Sequence, residues 1–433
     1  MIDHSHAPGA RSWVESANGH AEFPIQNLPL GMFAPEGKHF RPGVAIGDSI
    51  LDLRAVAGLG ARPSSSGSFE ETSLRFFFEL GPNARLALRH AIFDLLEANS
   101  KRQQDLASLL HPMEDCTLDL PMRPGGYTDF YAGIVHATNV GRLLRPDSPL
   151  MQNYKYVPIG YHGRTSSIRP SGTAVRRPLG QVKTPEEDVP RLAPSARLDY
   201  EVELGLWVGQ GNALGEPIPI ARAGEHLAGV TLLNDWSARD IQAWEYQPLG
   251  PFLAKNFAST VSPWLVTAEA LAPFRSAQPD RPEGDPAPLA YLHDATDQQQ
   301  GAFDIEIEVA VRTATMREVG AAPLRTGRTS ALHMYWTPAQ LIAHHASNGC
   351  PLEPGDLLGT GTISAPEVEG FGSLMEVTKG GREPFKIARE VRRFLEDGDE
   401  VVMTAHCRRE GYATIGFGEC RAVILPAPAP QGP

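Results

Sequence analysis

Between residues 198 and 208, apolar and acidic side chains alternate. Leu198, Tyr200, Val202, Leu204, Leu206 and Val208 hold one parity, and Asp199, Glu201 and Glu203 hold the other. Successive side chains point to opposite faces of a strand, so the run predicts one apolar face and one carboxylate face. Gly31-Met32-Phe33 and residues 44–53, the latter broken at Gly47-Asp48, predict further short strands. From Asn83 to about Leu110 the period changes, and residues 84–96 carry a helical apolar stripe. Residues 234–248 predict a short helix closed by Pro248. It would set Asp235, Arg239, Gln242 and Tyr246 at i, i+4, i+7 and i+11 on one face. Residues 354–362 read as a turn entering a strand, its glycines permitting close approach to a ligand or forming an ordinary bulge.

These elements fall into two groups. Residues 1–121 form one module, with a Gly/Ser-rich loop over 58–67 and the helix near its end. The Pro-Gly-rich joint Pro121-Met122-Arg123-Pro124-Gly125-Gly126 marks the boundary. Residues 122–425 are mostly strands and turns, with a polar, Pro-rich excursion over 278–288, and 426–433 is a low-complexity tail expected to be disordered. With 42 Gly and 38 Pro in 433 residues, many turns and short strands are expected, and the length suits two domains.

Charge and cysteine usage narrow the function. The net charge of −12 disfavours nucleic acid as a partner. Cys116, Cys350, Cys407 and Cys420 make no CxxC pair and no zinc spacing, as expected in a reducing compartment. The polar start lacks a signal-peptide pattern, and no apolar run is long enough to span a bilayer. A cytoplasmic protein without membrane attachment is expected.

The candidate chemistry starts from Glu201 and Glu203. Same-face strand neighbours lie roughly 7 Å apart, and such carboxylates repel unless water, a proton or a cation intervenes. A divalent metal with oxygen ligands is one solution, and a solvated outer sheet face is the other. The Asp235–Tyr246 stripe offers a binding wall or a plain i, i+4 Asp–Arg pair. Lys255, inside an apolar run, either snorkels from a strand edge or sits beside an anion. Asp129 is a candidate helix cap, with His136 seven residues on along the same side of that helix. Tyr161-His162-Gly163-Arg164 is a turn rich in polar groups. Glu376, among apolar neighbours, is either an exposed strand residue or an acid with a partner. No G-x-S-x-G, H-E-x-x-H or G-x-x-x-x-G-K-[ST] is present, which removes support for serine hydrolases, zincins and P-loop enzymes.

Seven stretches together resemble the fumarylacetoacetase family, in order, from about residue 20 to residue 424. They are Tyr127 to Tyr131, His136 to Gly141, Gly160 to Arg164, Asp199 to Glu203, Asn234 to Gly250, Ser262-Pro263-Trp264 and Gly361 to Ser364. The resemblance implies a mixed, mainly β fold: a small N-terminal SH3-like barrel and a larger C-terminal mixed β-roll, working as a homodimer. It implies a Ca²⁺ or Mg²⁺ site built from Asp129, Glu201, Glu203 and Asp235, with Lys255 and Ser259 beside it. By the same resemblance His136 is the general base, oriented by Glu376, and Arg239, Gln242 and Lys255 stabilise developing negative charge. Tyr131, Arg145, Tyr161, Tyr246 and Thr362 match substrate-contacting positions, together with Arg239 and Gln242. The implied reaction is metal-dependent hydrolysis of a carbon–carbon bond in a small diketo acid, 4-fumarylacetoacetate, giving fumarate and acetoacetate in tyrosine and phenylalanine degradation.

One loop departs from the family pattern. Where the family typically reads Lys-Ser-Phe-Gly-Thr-Thr, this chain has Lys255-Asn256-Phe257-Ala258-Ser259-Thr260. Ala258 then demands a backbone without positive φ, or some strain, and Ser259 keeps a hydroxyl. Two rivals stand beside the main reading: a superfamily cousin that hydrolyses, decarboxylates or hydrates another diketo acid, and a catalytically silent, metal-stabilised binding module. An iron site of the two-histidine, one-carboxylate kind is set aside because the implied ligands are all carboxylates.

Overall fold

The computed structural model describes residues 2–58 and 73–429. Residues 59–67 of the Gly/Ser-rich loop and 430–433 of the Pro-rich tail lie outside the described residues. The fold is mixed α/β and mainly sheet.

The N-terminal part holds a five-stranded antiparallel sheet in the order Leu110–Pro112, Ser49–Asp52, Arg41–Ile46, Leu30–Pro35, Cys116–Asp119. The break at Gly47-Asp48 is the hairpin turn between two of these strands. The helix Pro82–Leu96 buries Leu88, Ile92, Phe93 and Leu96 in the core of this part. It stops well short of Leu110. The chain leaves it at Glu97 to bridge Ser12 of the N-terminal arm, and only the short helix Gln103–Ala107 follows.

A mixed sheet forms the centre of the molecule. Its main path runs Gly160–His162, Tyr127–Phe130, Leu357–Gly359, Val202–Val208, Leu227–Asp235, Ser259–Val261, Ile168–Pro170. A further sheet of five strands contains Glu306–Arg312, Glu400–Cys407 and Ile415–Leu425. Val202, Leu204, Leu206 and Val208 share a core with Ile307, Val309 and Val311 of that sheet. On the opposite face Trp207 packs with the N-terminal part, its ring centroid 5.6 Å from that of Phe78. The strand is therefore buried on both faces. Each such apolar side chain is worth roughly 1.5–3 kcal/mol in burial, whereas a buried polar atom without a partner costs about 1–3 kcal/mol and a charged one more.

Several local expectations change. The alternating run is two strands, Leu198–Asp199 and Val202–Val208, because Leu198 and Asp199 pair with Ala238 and Ser237 instead of continuing the central ladder. Asp235 is not on a helix: it ends the strand Leu227–Asp235, held between two neighbours, and the helix spans only Arg239–Glu245. Asp129 lies in the strand Tyr127–Phe130, while His136 belongs to a separate helix, Ile134–Leu144, which has Gly133 as its N-cap residue. Glu376 sits on the short helix Leu374–Val377, not on a strand.

Candidate active site

Ladder register builds the acidic cluster. Tyr161 pairs with Asp129, Asp129 with Gly359, Gly359 with Gly205, and Asp235 with Ser259. Glu203 stands two residues before Gly205, on the same strand face. The side chains of Asp129 and Glu203 both reach over Gly359: a Cβ there would lie 2.6 Å from Asp129 Oδ1 and 3.0 Å from Glu203 Oε2. Gly361, at φ +74°, donates its N–H to Glu203 Oε2 at 3.1 Å. One oxygen each from Asp129, Glu203 and Asp235 lies within 4.8 Å of the others. All three residues are buried, as is Glu201. The solvated-face alternative for this strand does not hold.

The four acids are not equivalent. Burial acts to raise the Glu201 pKa, but Lys255 and Arg239 outweigh it and hold the group down to about 2. Burial pushes Asp129 and Glu203 well above the carboxylate range, and neighbouring acids add to it: Asp235 first for Asp129, Asp129 first for Glu203. Asp129 Oδ1 and Glu203 Oε1 are buried without a hydrogen-bond partner. Three hard carboxyl oxygen donors converging in this way, two of them carrying unsatisfied atoms, fit a hard divalent cation, which would favour their ionised form. Lys255 does not snorkel. It is buried, and Nζ donates to Glu201 and, at 2.6 Å, to Asp235 Oδ2. Burial alone would depress the lysine, but Asp235 and Glu201 raise it above its usual range. It serves here as a fixed ammonium counter-charge. Ser259 Oγ donates to Asp235 Oδ1 at 2.9 Å, and Ala258 is not among the residues with positive φ.

Facing this cluster is a cavity of about 400 Å³. It is lined by Asp129, Tyr131, His136, Arg145, Tyr161, Glu201, Glu203, Arg239, Gln242, Tyr246, Lys255 and Thr362, with apolar wall from Phe130, Val140, Leu144 and Phe394. Asp235, Ser259 and Glu376 stand behind that lining and act on it through hydrogen bonds. His136 Nδ1 is 2.6 Å from Glu376 Oε2. That bond leaves Nε2 as the nitrogen available to the cavity. Glu376 also accepts from Asn139 Nδ2 at 3.0 Å, Ser364 Oγ at 2.9 Å and Ser373 Oγ at 2.8 Å. Burial works to raise its pKa, but His136 and these donors keep it below the usual range. Arg239 donates Nε to Asp199 at 2.9 Å and Nη1 to Gln242 Oε1 at 3.2 Å, with Nη1 2.8 Å from Glu201 Oε1. Tyr161 Oη donates to Asp235 Oδ2 at 3.2 Å, and the Tyr131 ring meets His136 edge-on at 5.7 Å.

The requirement for glycine at 359 is testable. Gly359→Ala is expected to weaken divalent-cation binding at least about tenfold in calorimetry and to lower the melting temperature, since overpacking typically costs about 1–3 kcal/mol. Unchanged binding would show that the acids close over a Cβ without penalty.

Comparison with known proteins decides the family. The fumarylacetoacetase N-terminal model matches residues 26–121, and the fumarylacetoacetate (FAA) hydrolase C-terminal model matches residues 127–425. This chain belongs to the fumarylacetoacetate hydrolase family. The fumarylacetoacetase of Oryza sativa subsp. japonica is 44% identical over 440 residues, covering 99% of this chain and 100% of that protein. The fumarylacetoacetase of Bos taurus is 45% identical over 418 residues, covering 94% and 97%. The solved fumarylacetoacetate hydrolase of Exiguobacterium antarcticum shares the fold at TM-score 0.51 and 16% identity, covering 92% of this chain and 99% of that one.

Four residues of this candidate site were given no such role from the sequence: Asp199 as the partner of Arg239, and Asn139, Ser364 and Ser373 as donors to Glu376. Two had local signals. Ser373-Leu374-Met375-Glu376 has the Ser-x-x-Glu spacing of a helix start, and Asn139 lies one turn from His136. Asp199 and Ser364 reach the site only through the tertiary fold.

Proposed function

We propose that this hydrolase cleaves the carbon–carbon bond of 4-fumarylacetoacetate with water, giving fumarate and acetoacetate, the last step of tyrosine and phenylalanine degradation. The observation that carries this reading is one cavity in which the His136–Glu376 pair faces a buried acidic cluster. Full-length identity of 44–45% to fumarylacetoacetases supports it.

In this mechanism Asp129, Glu203 and Asp235 would hold a Ca²⁺ or Mg²⁺ ion, with Glu201 beside them and Ser259 behind Asp235. When bound, the ion polarises diketone oxygens as a Lewis acid. His136 Nε2 takes a proton from water as that water attacks the carbonyl next to the alkene. Glu376 stabilises the resulting imidazolium through Nδ1, as carboxylate–histidine pairs do. Arg239, Gln242 and Lys255 stabilise the tetrahedral oxyanion. Lys255 keeps one of its three N–H groups for that task, the other two being given to Glu201 and Asp235. Collapse breaks the carbon–carbon bond and releases fumarate, and the acetoacetate enolate takes up the proton. Tyr131, Arg145, Tyr161, Tyr246 and Thr362 orient the diacid.

The proposal extends to organisation: residues 1–121 as an SH3-like module, residues 122–425 as the catalytic β-roll, and a homodimer in the cytoplasm. Four cysteines without disulfides are in keeping with that compartment. No helix of the described residues is long and apolar enough to cross a membrane. The deciding test mixes purified protein with fumarylacetoacetate and follows loss of the diketone absorbance, with fumarate and acetoacetate quantified. Metal-replete protein that leaves the absorbance unchanged would contradict the proposal.

A further inference from the structure

Four cationic side chains besides His136 line the cavity: Arg145, Arg197, Arg239 and Lys255. Two are already neutralised. Arg239 is paired with Asp199 and Glu201, and Lys255 with Glu201 and Asp235. The other two are not. Arg145 gives Nη2 to the Pro149 carbonyl at 3.4 Å, and its Nε is buried without a partner. Arg197 makes no ion pair or side-chain hydrogen bond among the described residues. Its backbone, by contrast, is fixed. Arg197 O accepts from Arg239 N at 2.9 Å, and Arg197 N donates to Ser195 Oγ at 3.3 Å. Asp240, the acid that holds the two residues before Arg197, accepts from Ser195 Oγ at 2.6 Å and Ala196 N at 2.7 Å.

We infer that Arg197 receives one terminal carboxylate of the substrate and is a specificity residue for diacids. The inference rests on the proposed function, whose substrate carries a carboxylate at each end of its diketone. Arg145 accounts for one of them. Arg239 and Lys255 do not serve the second, because the proposed mechanism commits them to the oxyanion at the reacting carbonyl and the rest of their charge is shared with Asp199, Glu201 and Asp235. Arg197 stands beside Arg239 on the cavity wall, with its guanidinium uncommitted. A guanidinium in that position matches a carboxylate in charge and fork geometry. Because Arg197 is exposed, the contact is partly screened and acts mainly on binding.

The test is steady-state kinetics of the metal-loaded full chain on fumarylacetoacetate, for wild type, Arg197→Ala and Arg197→Lys. Two monoacid diketones, each keeping one end of the substrate, are assayed alongside as competitive inhibitors. Arg197→Ala is expected to raise KM about fivefold with kcat within about twofold, and Arg197→Lys to recover part of the loss. One monoacid should lose inhibitory strength in the alanine variant and the other should keep it. An alanine variant with wild-type KM, or one that weakens both monoacids equally, overturns the role of Arg197. Wild-type protein that fails to turn over fumarylacetoacetate overturns the proposed function itself, and the inference falls with it.

Discussion

Replacing His136 with alanine is expected to lower kcat about 10³-fold or more, with KM for fumarylacetoacetate changed by no more than about threefold. His136 is a buried imidazole lining the cavity with a carboxylate 2.6 Å from Nδ1, so its remaining nitrogen has one chemical task. Positioned proton transfer is worth about 10²–10⁴-fold, and losing it here also removes the cation that Glu376 is arranged to stabilise. In the proposed mechanism substrate binding rests on other groups, chiefly the arginines and a cation held by the acidic centre. The fold should survive, because Glu376 keeps Asn139, Ser364 and Ser373 as donors. Stopped-flow and steady-state rates, with a melting curve as the folding control, check this. A well-folded variant with near-normal turnover would remove His136 from the mechanism.

The second large effect concerns the divalent cation. Chelation is expected to abolish turnover and to destabilise the protein, and more so as pH rises. The sign follows from the acids. Without a cation, burial and mutual repulsion lift the pKa values of Asp129 and Glu203 in the folded chain well above their unfolded values. Above about pH 4, where ordinary carboxylates have lost their protons, the folded state therefore holds protons that the unfolded state has released. Stability falls with rising pH whenever the folded state binds more protons. A bound cation takes over the stabilisation of the ionised pair and removes that loss. The gap between the melting temperatures of loaded and chelated protein should widen from pH 5.5 to pH 8, as scanning fluorimetry or calorimetry can measure. A gap that stays constant or narrows would show that these acids do not form the cation site.

How much of this was legible in the sequence depends on the range over which each signal acts. The hairpin at Gly47-Asp48 is local turn chemistry, and the structure places it as read. The parity of residues 198–208 survives too, although the run breaks after Asp199, because parity depends only on the strand period. Asp235, Arg239, Gln242 and Tyr246 also converge on one site, but for a different reason from the one the spacing suggests. Asp235 is held by strand pairing and the other three belong to the helix Arg239–Glu245 or follow it directly. Pairing energy from two neighbouring strands overrides a helical period that a single sequence cannot weigh against it.

The sequence by itself determined which residue types were available for chemistry and, through the resemblance, the family to which they belong. It also determined which positions share a face, since that follows from the strand and helix periods alone. Only the tertiary structure decided which acids are paired and which are left over. Glu201 and Glu203 are two residues apart, yet Lys255 and Arg239 reach Glu201, while Glu203 looks across Gly359 to Asp129. Their pKa values move in opposite directions as a result. Charge balance in a buried site is set by neighbours up to 240 residues distant, as between His136 and Glu376. Coulomb interactions depend on separation in space and on burial, and neither can be read from a local pattern.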